Sequence, residues 1–214
     1  MQTNKTPQIG ETIPFSGYNW RVLDIQDGQA LLLSEFVLEK RAYHEKHKPI
    51  IWENCTLRHY LNNDFYNKLS EKNKIVQRTI KNHDNQWHNT EGGNDTTDNI
   101  FLLSLEELVQ YFGDSGRLWK KDARLFDEQG NQIESWRFGD QFNQSRIARN
   151  TDGTPVWWWL RSPGYGGDGS VGDMFDQDGF STDATGVWED GFVNMDGWAI
   201  ECAGGVRPAL WLNL

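Results

Sequence analysis

Cysteine is scarce in this chain: Cys55 and Cys202 are the two among 214 residues. A disulfide framework is thereby excluded, and a reduced compartment is the default, with one bridge between the pair left open. Apolar residues make up only 37%. No apolar run reaches the roughly 18 residues of a membrane-spanning helix. The start, Met1-Gln-Thr-Asn-Lys-Thr, carries no apolar stretch of signal-peptide type. Bases are also short, 21 against 31 acids. That balance argues against nucleic acid as a partner, because phosphate binding needs clustered Lys and Arg.

What the chain has instead is rings, glycine and a localised charge. Eleven Trp and an aromatic share of 13% can build a core from few apolar residues. Twenty-one Gly imply many turns and close backbone approaches. Between Arg161 and Arg207 there is no Lys, Arg or His, but there are nine acids: Asp168, Asp173, Asp176, Asp178, Asp183, Glu189, Asp190, Asp196 and Glu201. Without them the chain would hold 22 acids against 21 bases, so the net charge of −10 is almost wholly local. Two apolar stretches enclose this segment, Val156-Trp157-Trp158-Trp159-Leu160-Arg161-Ser162-Pro163-Gly164 and Gly205-Val206-Arg207-Pro208-Ala209-Leu210-Trp211-Leu212. An acidic, Gly-rich, ring-studded stretch between such anchors suggests a recognition surface.

The coarse pattern is α+β in a single domain over residues 1–214, with 1–8 flexible. Trp20 to Ile25 and Ala30 to Ser34 flank Asp27-Gly28, a hairpin signal. Leu57, Leu61, Phe65 and Leu69 recur at one-face helical spacing, with Asn54 as the expected cap and Asn62-Asn63-Asp64 as an expected break. Residues 82–99 read as a long polar surface loop, and Ile100 to Leu103 as a short buried strand. Ser104 and Glu107 form a capping box before the stripe Leu105, Leu108, Val109 and Phe112, and Gly113 is a plausible stop. Residues 114–155 are weakly patterned, with a turn at Asp127 to Gln132. From Val156 only strands and turns are expected. Asp-Gly pairs at 168, 178, 190 and 196 mark turns, and Pro208 falls at an edge or bulge of the last strand.

The two enclosing motifs, together with Trp20-Arg-Val-Leu-Asp, Trp52-Glu-Asn-Cys-Thr-Leu-Arg-His-Tyr-Leu-Asn-Asn-Asp-Phe and Asn99-Ile-Phe-Leu-Leu-Ser, resemble a bacterial and phage family of C-type lectin fold. Many members of that family look like the variable proteins of diversity-generating retroelements. The resemblance spans roughly residues 9 to 214 and is weak over 114–155. It implies a C-type lectin fold with short N-terminal helices and a twisted antiparallel sheet closed by the last strand. It further implies a non-enzymatic, receptor- or adhesin-like protein that takes a protein or cell-surface ligand and needs no cofactor. Residues 165–204 would be the variable, ligand-binding segment. Without a signal peptide or spanning segment in the sequence, the expected location is cytoplasmic or virion-associated. One departure concerns adenine-directed mutagenesis of Asn codons, which does not reach Trp, Met, Glu or Gln. Met174, Gln177, Trp188, Glu189, Met195, Trp198 and Glu201 would need other template codons or be fixed.

The residue chemistry agrees with a binding role. Rings among Gly, Ser, Asp and Asn form the composition of antibody paratopes, and aromatic anchors dominate binding hot spots. The expected ligand-binding residues are Tyr165, Asp168, Asp183, Thr185, Trp188, Asp190, Phe192, Asn194, Trp198, Ala199, Glu201 and Cys202. Val193, Ile200 and Ala203 read as inward framework. Trp158, Arg161, Arg207 and Trp211 read as structural, with both arginines held by carboxylates or carbonyls of the acidic segment. The alternative is a carbohydrate-binding module, with or without Ca²⁺. Trp188-Glu189-Asp190 is only distantly similar to the Trp-Asn-Asp of calcium-dependent lectins, and no Pro lies between Pro163 and Pro208. An oxidase of related scaffold would need Cys55 and Cys202 as a copper pair, without the flanking pattern. His44-Glu-Lys-His47 reads as a surface turn. Neither catalytic nor metal-binding residues are expected.

Overall fold

The computed structural model describes residues 6–116, 137–165 and 180–214. The expected turn at Asp127 to Gln132, the Asp-Gly pairs at 168 and 178, and the candidate Asp168 lie outside them. Within the described residues the molecule is mixed α+β and mostly sheet. The strands in chain order are β1 (Thr12–Phe15), β2 (Tyr18–Gln26), β3 (Gln29–Ser34), β4 (Glu39–Arg41), β5 (Ile75–Val76), β6 (Arg78–Ile80), β7 (Thr96–Asp98), β8 (Arg137–Phe138), β9 (Ala148–Arg149), β10 (Pro155–Val156), β11 (Trp158–Pro163), β12 (Asp183–Val187), β13 (Val193–Ala199), β14 (Gly204–Val206) and β15 (Ala209–Asn213). They form a five-stranded sheet, β1-β2-β3-β15-β5, a six-stranded sheet, β4-β14-β11-β12-β13-β8, and the ribbons β6-β7 and β9-β10. Among the described residues only the β11–β14 pairing is parallel.

The β2–β3 hairpin forms as its Asp-Gly demands. Asp27 and Gly28 have φ of 49° and 75°, the double positive φ of a type I′ turn. The last strand differs from expectation. Pro208 has no N–H to give a ladder, so the pairing ends at Val206 and resumes at Ala209 in the other sheet. Pro208 therefore sits in the link between β14 and β15, neither at an edge nor at a bulge. Its carbonyl accepts from Ser34 N at 2.9 Å. Beyond the link, β15 lies centrally between β3 and β5.

The helices are short: α1 (Thr56–Tyr60), a π-helical turn (Leu61–Phe65), α2 (Tyr66–Lys68), α3 (Leu105–Phe112) and α4 (Asn143–Arg146). Leu57, Leu61, Phe65 and Leu69 are all buried, as their spacing requires. Asn62 does not break the helix. Its amide donates to Ile100 O at 2.8 Å and its Oδ1 accepts from Asn99 N and Ile100 N, and the helix widens to a π turn there. The cap of α1 is Cys55, whose Sγ accepts from Arg58 N at 3.3 Å, and not Asn54. The box on α3 is present in both directions, Ser104 Oγ accepting from Glu107 N and Glu107 Oε2 from Ser104 N. Gly113 ends that helix at φ 90°.

Two further expectations are corrected. Residues 100–103 are buried but form no strand, and their one ladder contact is the bridge Phe101↔Ala209. Residues 82–99 are only in part a surface loop. They contain β7, and Asn82, Asn85, Trp87, Thr90, Thr96 and Asp98 are buried. Polar side chains can be buried when hydrogen-bonded, and Asn85 donates to Pro163 O and Met195 O at 2.9 and 3.0 Å.

Candidate functional site

The enclosing arginines set the frame of the site. Arg161 is buried and donates to Leu102 O at 2.6 Å, Lys81 O at 2.7 Å and Asn82 Oδ1 at 3.2 Å, and it pairs with the Glu107 carboxylate. Arg207 donates to Ser34 O at 2.8 Å and, at 3.5 Å, to Glu35 O. Both are fixed by carbonyls or carboxylates, as expected, but the partners come from the first half of the chain and not from the acidic segment. The acids of that segment take other roles. Asp196 meets His88 Nε2 at 2.7 Å and Glu201 meets His47 Nδ1 at 3.0 Å. Trp158, buried with its Nε1 on Arg146 O, and buried Trp211 beneath Arg78 are structural.

Two bulges re-aim the side chains over this frame. On β11 three residues lie between Trp159 and Pro163 where β12 has only Thr185. On β13, Met195, Asp196 and Gly197 stand opposite the same Thr185. Such insertions bend a strand and turn its side chains. Thr185 is thus enclosed on both sides, fully buried, with Oγ1 donating to Ser162 O at 2.9 Å. Asn194 spans the β13 bulge, donating to Gly197 O at 2.9 Å and accepting from Gly197 N at 3.0 Å. Thr185 and Asn194 are therefore framework and not ligand contacts, because their hydrogen-bonding capacity is used in holding the bulges. The Asp-Gly at 196 belongs to this bulge instead of a turn: Gly197 has φ +92° and lies where a Cβ would be 2.5 Å from Ala184 O.

The bulge delivers Trp198 onto a floor of glycine. A Cβ on Gly186 would fall 2.7 Å from the Trp198 ring, and one on Gly204 2.3 Å from Trp157. The two indoles stack at 4.3 Å and 22°, with Trp188 against Trp198 at 4.7 Å. Trp159 beneath them is wholly buried, T-shaped to both. Trp157, Trp188 and Trp198 are half-buried. The Trp triplet is thus split by the period-two alternation of a strand: Trp158 faces one way, and Trp157 belongs with the site.

Around this stack, Ala199 is half-buried and Glu201 and Cys202 are exposed. Ala203 is exposed too, against the inward position expected, while Val193 and Ile200 are buried as expected. Phe192 is half-buried against Gly139. Asp183 and Asp190 are half-buried at the ends of β12 and of the turn through Gly191. Tyr165 lies 4.7 Å from the His88 ring, its N–H on Asp196 O at 2.6 Å. Partial burial opposes the charge on Glu201, but the hydrogen bond from His47 outweighs it and holds the carboxyl below its ordinary value.

Beside Glu201 and Ala203 opens a cavity of about 570 Å³, walled also by Arg41, His59, Tyr60 and Asp64. Arg41 lies 3.5 Å over the Tyr60 ring, whose hydroxyl donates to Glu39 at 2.7 Å. Burial first, then that carboxylate, pushes Tyr60 up to about 12. No sequence signal joins β4 to α1 here; only the packing does. Cys55, capping α1, is pushed up to about 12 by burial, and Cys202 is raised by burial and by Glu201 and Asp183. Both shifts run opposite to those of an activated thiolate. Among the described residues no three His, Cys, Asp or Glu side chains gather as a metal site, and no helix is long and apolar enough to cross a membrane.

A family model described as a domain of unknown function, DUF6273, matches residues 27–214. No curated protein and no solved structure matches the chain.

Proposed function

We propose, for this chain that belongs to the DUF6273 family, a non-enzymatic role in ligand binding, of receptor or adhesin type, with the tryptophan face of the six-stranded sheet as its contact surface. The observation that carries this reading is the Trp157–Trp198 stack lying over Gly186 and Gly204. Stacked rings held on a rigid floor lose little entropy on contact, and such anchors are what hot spots use. Trp188, Asp190, Phe192, Ala199, Glu201 and Cys202 are the neighbours that tune it, and Tyr165 and Asp183 extend it. The partner is a protein or cell-surface ligand. The acids favour a basic one, since charge complementarity selects partners more than it tightens them.

The same reading includes a C-type lectin fold and diversification of the 165–204 segment by a retroelement. Its support is the division of labour in the described part of that segment: Thr185, Val193, Asn194 and Ile200 are buried framework, while Tyr165, Trp188, Asp190, Phe192 and Trp198 reach the surface. A template repeat beside a reverse transcriptase gene, differing at adenines, is the decisive observation, and its absence overturns that part.

The carbohydrate-binding reading is favoured by one feature, the flat indole stack, on which the apolar face of a sugar ring can lie. The test is a joint replacement of Trp188, Glu189, Ala199, Glu201 and Cys202 by serine. Binding is read on immobilised cell-surface protein and on a glycan array, with and without EDTA. An unchanged circular dichroism spectrum with lost or switched protein binding supports the main reading. EDTA-sensitive glycan binding supports the second. Unfolding of the variant shows that the segment is core, and the proposal fails.

A further inference from the structure

A second cavity, of about 200 Å³, lies at the link between the sheets, away from the tryptophan stack. Its walls include Arg21 from β2, Glu35 after β3, Gln144 and Ser145 of α4, Arg149 of β9 and Arg207 from the β14–β15 link. Three guanidiniums thus face one carboxylate in a protein whose net charge is −10. That carboxylate is committed: Arg21 grips Glu35 with Nε at 3.0 Å and Nη2 at 2.6 Å. Arg149 donates one bond, to Gly153 O at 2.9 Å.

Arg207 is the informative member. It is 2% exposed, flanked by the Phe112 and Trp158 rings at 5.7 and 5.2 Å from its Cζ, and among the described residues its Nη1 has no hydrogen-bond partner. Burial pulls it down to about 10, with Glu35 opposing and Arg21 reinforcing, so it stays charged at neutral pH. A buried charge without full compensation is costly, and the one hydrogen bond from Arg207 to Glu35 goes to the backbone carbonyl, not to the carboxylate. We propose that this cavity is a binding site for a compact oxyanion, a phosphate or a small carboxylate, set between Arg207, Arg149 and Arg21.

The size fits that class. At roughly 30 Å³ per water, the space equals about six or seven waters. That accommodates a tetrahedral oxyanion or a short acid, and falls below the roughly 300 Å³ at which pockets for larger organic ligands begin. Guanidinium forks match both groups through paired N–H donors. Arg149 of β9 and Gln144 and Ser145 of α4 line the cavity together with Arg207 of the link, so occupancy would brace the joint between the sheets.

The probes are inorganic phosphate and succinate, each titrated calorimetrically and by thermal unfolding against NaCl of equal ionic strength. A saturable heat and a Tm rise beyond the salt control are expected with at least one of them. Phosphate alone assigns a tetrahedral oxyanion, succinate alone a carboxylate, and both the shared chemistry. Arg149→Gln removes an exposed donor outside the core, and affinity should fall about tenfold, the loss of one charge-assisted contact. Glu35→Gln removes the competing negative charge and should tighten binding several-fold, a gain that a purely structural Arg207 would not produce. The proposal is overturned if neither probe acts beyond NaCl, or if both variants bind as the unchanged protein does.

Discussion

Arg161 places its fork among groups drawn from residues 81–82, 102 and 107, tying three stretches of the first half to β11. Truncation leaves the Glu107 carboxylate with the Ser104 amide but no cationic partner, and strands two carbonyls. Arg161→Met is expected to lower unfolding free energy by about 3 kcal/mol, at the lower end for a broken buried pair because Glu107 keeps some water. Urea midpoints would check it, and a loss under about 0.5 kcal/mol, the range of ordinary surface changes, would refute it. Arg161→Lys should restore little, since an ammonium cannot serve divergent acceptors. That both arginines are fixed could be read from the sequence; their partners could not. Nearby acids in sequence invite pairing, but Asp196 and Glu201 are already met by His88 and His47, brought in by loops more than a hundred residues away.

At the scale of elements, the β13 bulge decides where Trp198 points. Asn194→Ala deletes both bonds that close it. The expected cost is about 1–3 kcal/mol, that of leaving a buried backbone group unpaired, together with a changed tryptophan emission as Trp198 leaves its stack. Retained emission would show that the bulge does not depend on Asn194. Gly186→Ala attacks the floor directly: its Cβ would lie 2.5 Å from Trp158 O, backbone that cannot move aside cheaply. A loss of about 1–3 kcal/mol is expected, as for overpacking in a core, with emission changed again. Helix faces, the capping box and the Asp-Gly hairpin were legible because they rest on contacts within a few residues. The bulges, the π turn and the burial of residues 82–99 were not, since each depends on Ile100, Pro163 or Thr185 arriving from elsewhere.

For the whole molecule, acid is the condition that tests the joints between segments. Burial opposes ionisation of Asp140, but Arg146 and the Ser115 and Phe142 amides outweigh it and hold the carboxyl below its ordinary 3.8. A carboxyl lowered on folding stabilises fully above its unfolded value and ceases to do so as pH falls through the folded one. The acid limb of stability should therefore lie below about pH 4, and Asp140→Asn should flatten it while lowering stability at pH 7. Chemical denaturation across pH 2–7 gives the answer, and an acid limb unaltered by Asp140→Asn would remove Asp140 from the account. Glu35, lowered despite its burial by the hydrogen bond from Arg21, acts in the same direction.

By itself the sequence determined the α+β class, the hairpin, the helical stripes and the importance of the two stretches enclosing residues 165–204. Those follow from periodicity and turn chemistry, which act over a few residues. Only the tertiary structure decided that Pro208 lies between two sheets, that Trp157 joins Trp198 in the stack, that Thr185 and Asn194 are buried, and that three arginines share one cavity. The physical reason is common to all four. Which face of a strand meets water, and which charges become neighbours, depends on bulges and crossovers whose partners are distant in the chain.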